Sequence, residues 1–332
     1  MVQKQDQTTA LPGVWATLSA GFELTTRYLW LMVIPAALDF FLWIGPRLSF
    51  RALLERLITT SVAQLPADVL TIDTAPLLEA AGRLNHFAYL SVSLLGVPAL
   101  MTGPTPAKTP ITPMVIAGGG LGQWFGLLVL FTVAGLLLTA LFYSLIAYAL
   151  RRSLNTPLPP LGLGRFVARM TLTWLRLLGL LVLLLVLVVL ITFPMALLAG
   201  FLTLFSQTFG VFVMFAAVVL VMWLLMFLSY TPQGMLLNPH PFFAVLLDSV
   251  RLFRRNFPSA LGLLAVVVLS RQLLSAILLR ADSGTWVTAI NILAHAYIAT
   301  ALTVAMVIFY RDRFVASLRA TPQPTGNPPV NS

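Results

Sequence analysis

The chain contains no cysteine. Disulfides, thiolate catalysis and cysteine-ligated metals are therefore excluded. Charge is almost as scarce: only 9% of the 332 residues are Asp, Glu, Lys or Arg, where a soluble domain carries about 25%. Acidic groups are the rarest, ten against 20 basic ones, which leaves little for a paired-carboxylate site. The three histidines, His86, His240 and His295, are too scattered to suggest a metal cluster. GxxxxGK[ST], HExxH, GxSxG and EF-hand patterns are all missing. The sequence thus nominates no catalytic residue, no metal site and no cofactor, and nothing in it supports an enzyme.

Apolar surface is what the chain has in plenty. Hydrophobic residues make up 59%, and the mean hydropathy is +0.95. An ordinary soluble protein, a disordered chain and a coiled coil are all excluded by this balance. In a soluble protein the net charge of +10 would point to nucleic acid. Here it reads as topology, because Lys and Arg collect on the cytoplasmic side of membrane proteins. The expected surroundings are a lipid bilayer and its anionic headgroups, with no nucleic acid.

A crossing needs roughly 20 apolar residues in helical form. Six spans are expected: about Tyr28–Pro46, about Trp124–Leu150, two within the charge-free stretch from Leu177 to Leu247, about Pro258–Leu279 and about Trp286–Tyr310. The charge-free stretch is 71 residues long, too long for one crossing, and its turn falls around Gly200–Gly210. The fold class is an all-α integral membrane protein, six transmembrane helices with interfacial amphipathic helices. Residues 1–27 form a cytoplasmic tail and interfacial helix, 28–50 the first span, and 51–120 an outer segment. Residues 121–310 hold spans two to six with two cytoplasmic interfacial helices, and 311–332 a disordered tail. The polar start of the chain does not resemble a cleaved signal peptide.

Thirteen of the basic residues fall in segments on one side of these spans: Lys4 and Arg27, five between Arg151 and Arg176, three between Arg251 and Arg255, and Arg311, Arg313 and Arg319. The positive-inside rule places both termini in the cytoplasm, as an even number of spans requires. The expected location is the plasma membrane, a bacterial inner membrane. In the outer segment, Arg51–Leu65 and Asp73–Leu95 read as amphipathic helices lying on the membrane face. The five prolines from Pro98 to Pro113 read as an extended connector.

Trp15–Arg27, Arg165–Arg176 and Phe242–Arg255 each end in Arg and run into a span. Each reads as an interfacial helix with its apolar side down. Two explanations stand: an internal repeat, or the Arg that any helix entering from the cytoplasm carries. Three such entry helices, a long segment after the first span, and the stretch Phe243-Ala-Val-Leu-Leu-Asp-Ser-Val-Arg-Leu-Phe-Arg-Arg-Asn-Phe-Pro-Ser-Ala-Leu-Gly carry a resemblance. The chain resembles, over about a third of its length, the polytopic family related to the membrane domain of glycerophosphodiester phosphodiesterases. That resemblance implies a six-span helical fold. The catalytic domain of some members is absent from this chain, so it implies no hydrolase chemistry.

Ionisable groups inside spans are functional candidates by default. Asp39 lies about 11 residues into the first span and Arg271 about 14 into the fifth, roughly 16 and 21 Å deep at the rise of a helix. A bidentate ion pair between them is expected in the outer half of the bilayer. Pro35 predicts a kink one turn before Asp39. Thr288, Asn291 and His295 form a polar stripe on the sixth span. Asp39, Arg271, Asn291 and His295 therefore make a candidate intramembrane cluster. It serves as a clamp between the first, fifth and sixth spans or as a ligand pocket, unless Arg271 snorkels outward instead. If the ion pair exists, losing Arg271 alone costs more than losing both partners. Arg251, Arg254 and Arg255 are candidates for binding anionic headgroups. Gly118, Gly122 and Gly126 read as the entry to the second span rather than a helix-packing series. His86 and His240 read as solvated or interfacial groups. The functional expectation is a non-enzymatic scaffold or a subunit of a membrane complex, with a membrane protein partner. A small transporter or channel using the polar cluster comes next, and a lipid-modifying enzyme last.

Overall fold

A computed structural model describes residues 11–62, 75–92, 95–103, 108–153, 162–238, 240–280 and 284–320. Lys4, the tail from Thr321, the end of the first outer helix beyond residue 62, and Pro104 and Pro106 lie outside these residues.

The chain is a helical membrane bundle. Eleven α-helices run in order among the described residues: α1 (Val14–Arg27), α2 (Val33–Ile44), α3 (Arg51–Val62), α4 (Ala75–Gly82), α5 (Leu121–Ser153), α6 (Leu163–Thr203), α7 (Gln207–Leu228), α8 (Thr231–Leu237), α9 (Phe242–Arg255), α10 (Phe257–Leu278) and α11 (Val287–Ala320). Five stretches are long and apolar enough to cross a membrane. A sixth appears if α1 and the bent segment after it count as one span. The turn between α6 and α7 falls at Leu204–Ser206, inside the expected window.

The first span departs most from expectation. A 3-10 turn, Leu29–Met32, precedes α2, and the direction changes by 94° after α1. Sixteen residues from Leu29 to Ile44 reach roughly 24 Å, short of the ~30 Å of hydrocarbon. Pro35 sits in the first turn of α2, where a missing N–H costs no helical bond. The bend therefore lies before the proline rather than at it.

α1 does not float as an interfacial helix. It buries Thr17, Leu18, Gly21, Leu24 and Thr25 and lies antiparallel along α11. Its contacts begin where Arg313 donates to the Pro12 carbonyl at 3.2 Å and end where the Thr26 and Tyr297 hydroxyls meet at 2.7 Å. Gly21 makes this approach possible: a Cβ there would stand 2.6 Å from the Ala301 carbonyl oxygen and 2.8 Å from the Ala305 methyl. Small residues at helix crossings are how lipid-embedded helices gain packing, since lipid supplies no hydrophobic drive between them. α11 is the central post, with 78% of its spanning window buried, against 11% for α6 and 6% for the α7–α8 stretch.

The three expected entry helices also divide. α9 ends at Arg255, Asn256 caps both helices, and α10 begins with Pro258 in its first turn, so a helix, an elbow and a span are present there. Arg165–Arg176 is instead continuous with the span, as the opening turns of the 41-residue α6. No proline interrupts Leu163–Phe193, and the backbone has no reason to break.

At one end of the bundle a short parallel pair closes the outer segment: β1 (Arg47–Ser49) lies beside β2 (Val115–Ala117), with Leu48 opposite Ile116. The Asn85 amide oxygen accepts from the Leu48 and Phe87 backbone N–H groups at 3.1 and 3.2 Å. Between these strands the connector does not stay on the membrane face. Leu95, Val97, Leu100 and Met101 are buried, and three of them join the core of α2, α5 and α11. Irregular backbone is tolerated at membrane depth only when protein surrounds it, and its polar groups need partners there.

Candidate functional site

Asp39 supplies one of those partners. It is 0% exposed, and its Oδ1 accepts the Met101 backbone N–H at 2.8 Å. Its Oδ2 stands 3.5 Å from His295 Nδ1, and the imidazole is 3% exposed. α2 presents Asp39, α11 presents His295, and the connector folds in between them. The carboxylate thus joins two helices to a segment of non-helical chain, in a site with no opening to water.

Arg271 is not part of it. Its guanidinium donates to Thr303 Oγ1 at 2.8 Å, and Thr303 donates in turn to the Ala299 carbonyl. Thr303 lies eight residues beyond His295 on α11, roughly 12 Å along the axis. α10 runs antiparallel to α11 with Asn291 Nδ2 on the Leu278 carbonyl at 3.0 Å. That register sets Arg271 about two turns away from His295, toward the Arg313 end. The expected Asp39–Arg271 ion pair is therefore not formed. Of the four cluster residues only Asp39 and His295 come together. The reason is the bend: α1 already runs along α11 as far as Tyr297 and the chain then turns by 94°, so a depth counted along a straight helix from Tyr28 does not hold for Asp39.

Arg251, Arg254 and Arg255 are all exposed on α9, with Arg251 3.7 Å from Asp248. His240 has a partner after all, Asp248 Oδ2 at 3.0 Å. His86 is neither solvated nor alone: it is 6% exposed and packs on Phe50, Tyr89 and Trp124, with ring centroids 4.3, 5.3 and 5.9 Å away. Burial pushes its pKa below the usual histidine value. Gly122 and Gly126 meet no neighbouring atom, so they mediate no helix packing, and a Cβ on Gly118 would meet the Phe50 ring. Among the described residues no group of three or more His, Asp or Glu side chains gathers as metal ligands would.

Most of the described basic segments gather at one end, but Arg27 does not: α1 starts beside Arg313 and ends beside Tyr297, so Arg27 sits a helix length away from those arginines. Arg176 donates to the carbonyls of Met235, Asn238 and His240, tying α6 to the end of α8. Cations are favoured at such a helix terminus, where carbonyls lack partners. The Arg313 guanidinium lies 3.4 Å above the Phe309 ring and holds the segment before α1. Two features have little or no signature in the sequence. The Met101 amide carries no side-chain signal, although the apolar run Val97–Met101 within a proline-rich stretch marks a buried segment. A cavity also opens beside Arg176, lined by Arg151 and Arg169, whose clustering without any nearby acid was legible.

No family model, no curated protein and no solved structure matches this chain.

Proposed function

We propose that the chain is a non-enzymatic scaffold, or a subunit of a membrane complex, in a bacterial inner membrane with both termini in the cytoplasm. One observation carries this reading: the intramembrane carboxylate is enclosed within the fold and holds the inserted connector. Asp39 is fully enclosed, holds the Met101 amide and faces His295. A group serving an ion or substrate path needs access to water or to a ligand. This one serves as a clamp between α2, α11 and the inserted connector. The convergence of most of the basic segments at one bundle end supports the cytoplasmic placement of that end. The lateral surface for a membrane partner is the α6–α7 hairpin, where Val186, Leu190, Phe193, Phe212 and Phe215 are exposed. The likeness to the phosphodiesterase-associated membrane family bears on the arrangement of spans and lends no activity.

The test is a flux assay in proteoliposomes. Asp39→Asn and the unaltered protein should be equally inert toward protons and small ions, while differing in stability. A flux that Asp39→Asn abolishes in a folded protein would replace the scaffold by a transporter. A reporter fused after Ser332 should report the cytoplasmic side; an extracytoplasmic signal reverses the topology.

A further inference from the structure

The cavity between α5, α6 and α8 has a volume of about 340 Å³, within the range of ligand sites. Its lining includes Arg151 from the end of α5, Arg169 and Arg176 from α6, and Ser144, Tyr148 and Asn238. The three arginines have different tasks. Arg176 is committed to the carbonyls of Met235, Asn238 and His240. The Arg151 and Arg169 guanidinium groups have no hydrogen-bond or ion-pair partner among the described residues. Internal neutralisation is remote in sequence: no acidic residue occurs between Glu79 and Asp248. Asp248 itself is engaged by His240 and Arg251. Two guanidinium groups, a half-buried Arg151 and an exposed Arg169, therefore face one open cavity with no carboxylate paired to them among the described residues, at the bundle end where most of the basic segments meet.

Like charges held side by side repel, and the half-buried Arg151 also loses hydration, so an anion bridging the two is favoured. The guanidinium fork matches phosphate oxygens two at a time. The remaining lining fits an amphiphile: Ala147, Phe166, Leu172 and Leu237 are apolar, and the outer surface of α6 continues the apolar path with exposed Leu172 and Leu175. We infer that this cavity binds the phosphate of an anionic phospholipid headgroup, with Arg151 and Arg169 as its ligands and Arg176 as the fixed strut behind them. The inference is independent of the scaffold reading, because it uses none of the Asp39 cluster. It also differs from the exposed Arg251, Arg254 and Arg255 on α9, which are not among the residues lining this cavity.

The test uses the full chain in nanodiscs of phosphatidylcholine with added phosphatidylglycerol, with bound lipid counted by native mass spectrometry after detergent release. The unaltered protein should retain phosphatidylglycerol over phosphatidylcholine. Arg151→Gln with Arg169→Gln should lose that preference by about tenfold for each arginine, since a hydrogen bond to a charged group is worth roughly the ~1.4 kcal/mol that tenfold represents. Arg254→Gln with Arg255→Gln should keep it. The melting temperature of each variant is measured alongside, and Arg151→Lys separates lost charge from lost fold, since a folded lysine variant should retain part of the preference. Equal retention by the Arg151/Arg169 variant and the unaltered protein overturns the site. Calorimetry with inorganic phosphate on delipidated protein distinguishes the source: saturation by phosphate together with no retained lipid overturns the lipid assignment in favour of a soluble phosphate.

Discussion

Replacing Asp39 with Ala leaves the Met101 N–H without an acceptor, in a place water does not reach. Asp39 and Met101 are 0% and 5% exposed, so the cost of an unpaired buried donor, about 1–3 kcal/mol, should be felt nearly in full. The approach to His295 at 3.5 Å adds an amount at the low end of the ~0.6–1.7 kcal/mol seen for polar contacts between membrane helices. Asp39→Ala should therefore destabilise by about 2–4 kcal/mol. Asp39→Asn keeps an oxygen where Oδ1 accepts the amide, and should cost about 1 kcal/mol or less. Reversible unfolding in mixed micelles measures both. Tryptophan fluorescence is a suitable signal, because Trp43 and Trp286 pack edge to face at 5.7 Å close to the clamp. A double-mutant cycle supplies the sharper test. With Arg271 on α10 held about two turns from His295, at Thr303 of α11, Asp39→Asn and Arg271→Met should be additive within about 0.5 kcal/mol, whereas Asp39 and His295 should couple. Equal losses for the Ala and Asn variants, or coupling above ~1 kcal/mol with Arg271, would refute the placement of the carboxylate.

Further outcomes follow from single contacts. Thr303→Val strands the Arg271 guanidinium and should cost more than Arg271→Met, because breaking one partner of a buried pair is worse than an apolar replacement; denaturant midpoints decide between them. Gly21→Val should cost about 1–3 kcal/mol through collision with Ala301 and Ala305, and a size-exclusion profile of the folded fraction reads it. Arg176→Gln removes the donor for three carbonyls and should lose about 2–3 kcal/mol, far more than Arg152→Gln at an exposed position, again by melting temperature. His86 takes up protons less readily folded than unfolded, so stability is complete above the unfolded value of 6.5 and falls as pH drops below it. His86→Phe should flatten that loss in melting curves taken from pH 7.5 down to about 5; an unchanged slope would assign the pH response to another group.

Much of the architecture needed no coordinates. Apolar runs long enough to cross a bilayer and the lack of charge from Leu177 to Leu247 already specify a multi-pass helical protein, since backbone in lipid must satisfy itself. The α6–α7 turn, the α9–α10 elbow at Pro258 and the helix starting at Arg51 were all readable from local signals such as polar interruptions, proline and periodicity. These are properties of short stretches of chain, and the bilayer imposes a length scale that makes them legible.

Partnerships at a distance were decided only in three dimensions. Depth counted along straight helices brings Asp39 level with Arg271, but the 94° bend after α1 removes that match. Whether a helix that ends in Arg lies on the membrane or runs into the span depends on what packs beside it: α1 was captured by α11 through Gly21, and Arg165–Arg176 simply continued as α6. The Met101 amide reached Asp39 because the connector folded inward. A backbone N–H is the same on every residue, so no sequence pattern distinguishes one that meets a carboxylate. Sequence determined which segments prefer lipid and which end carries the cations. Tertiary structure determined which of the few ionisable groups meet, because crossing register, bends and inserted loops are set by the packing of many side chains at once.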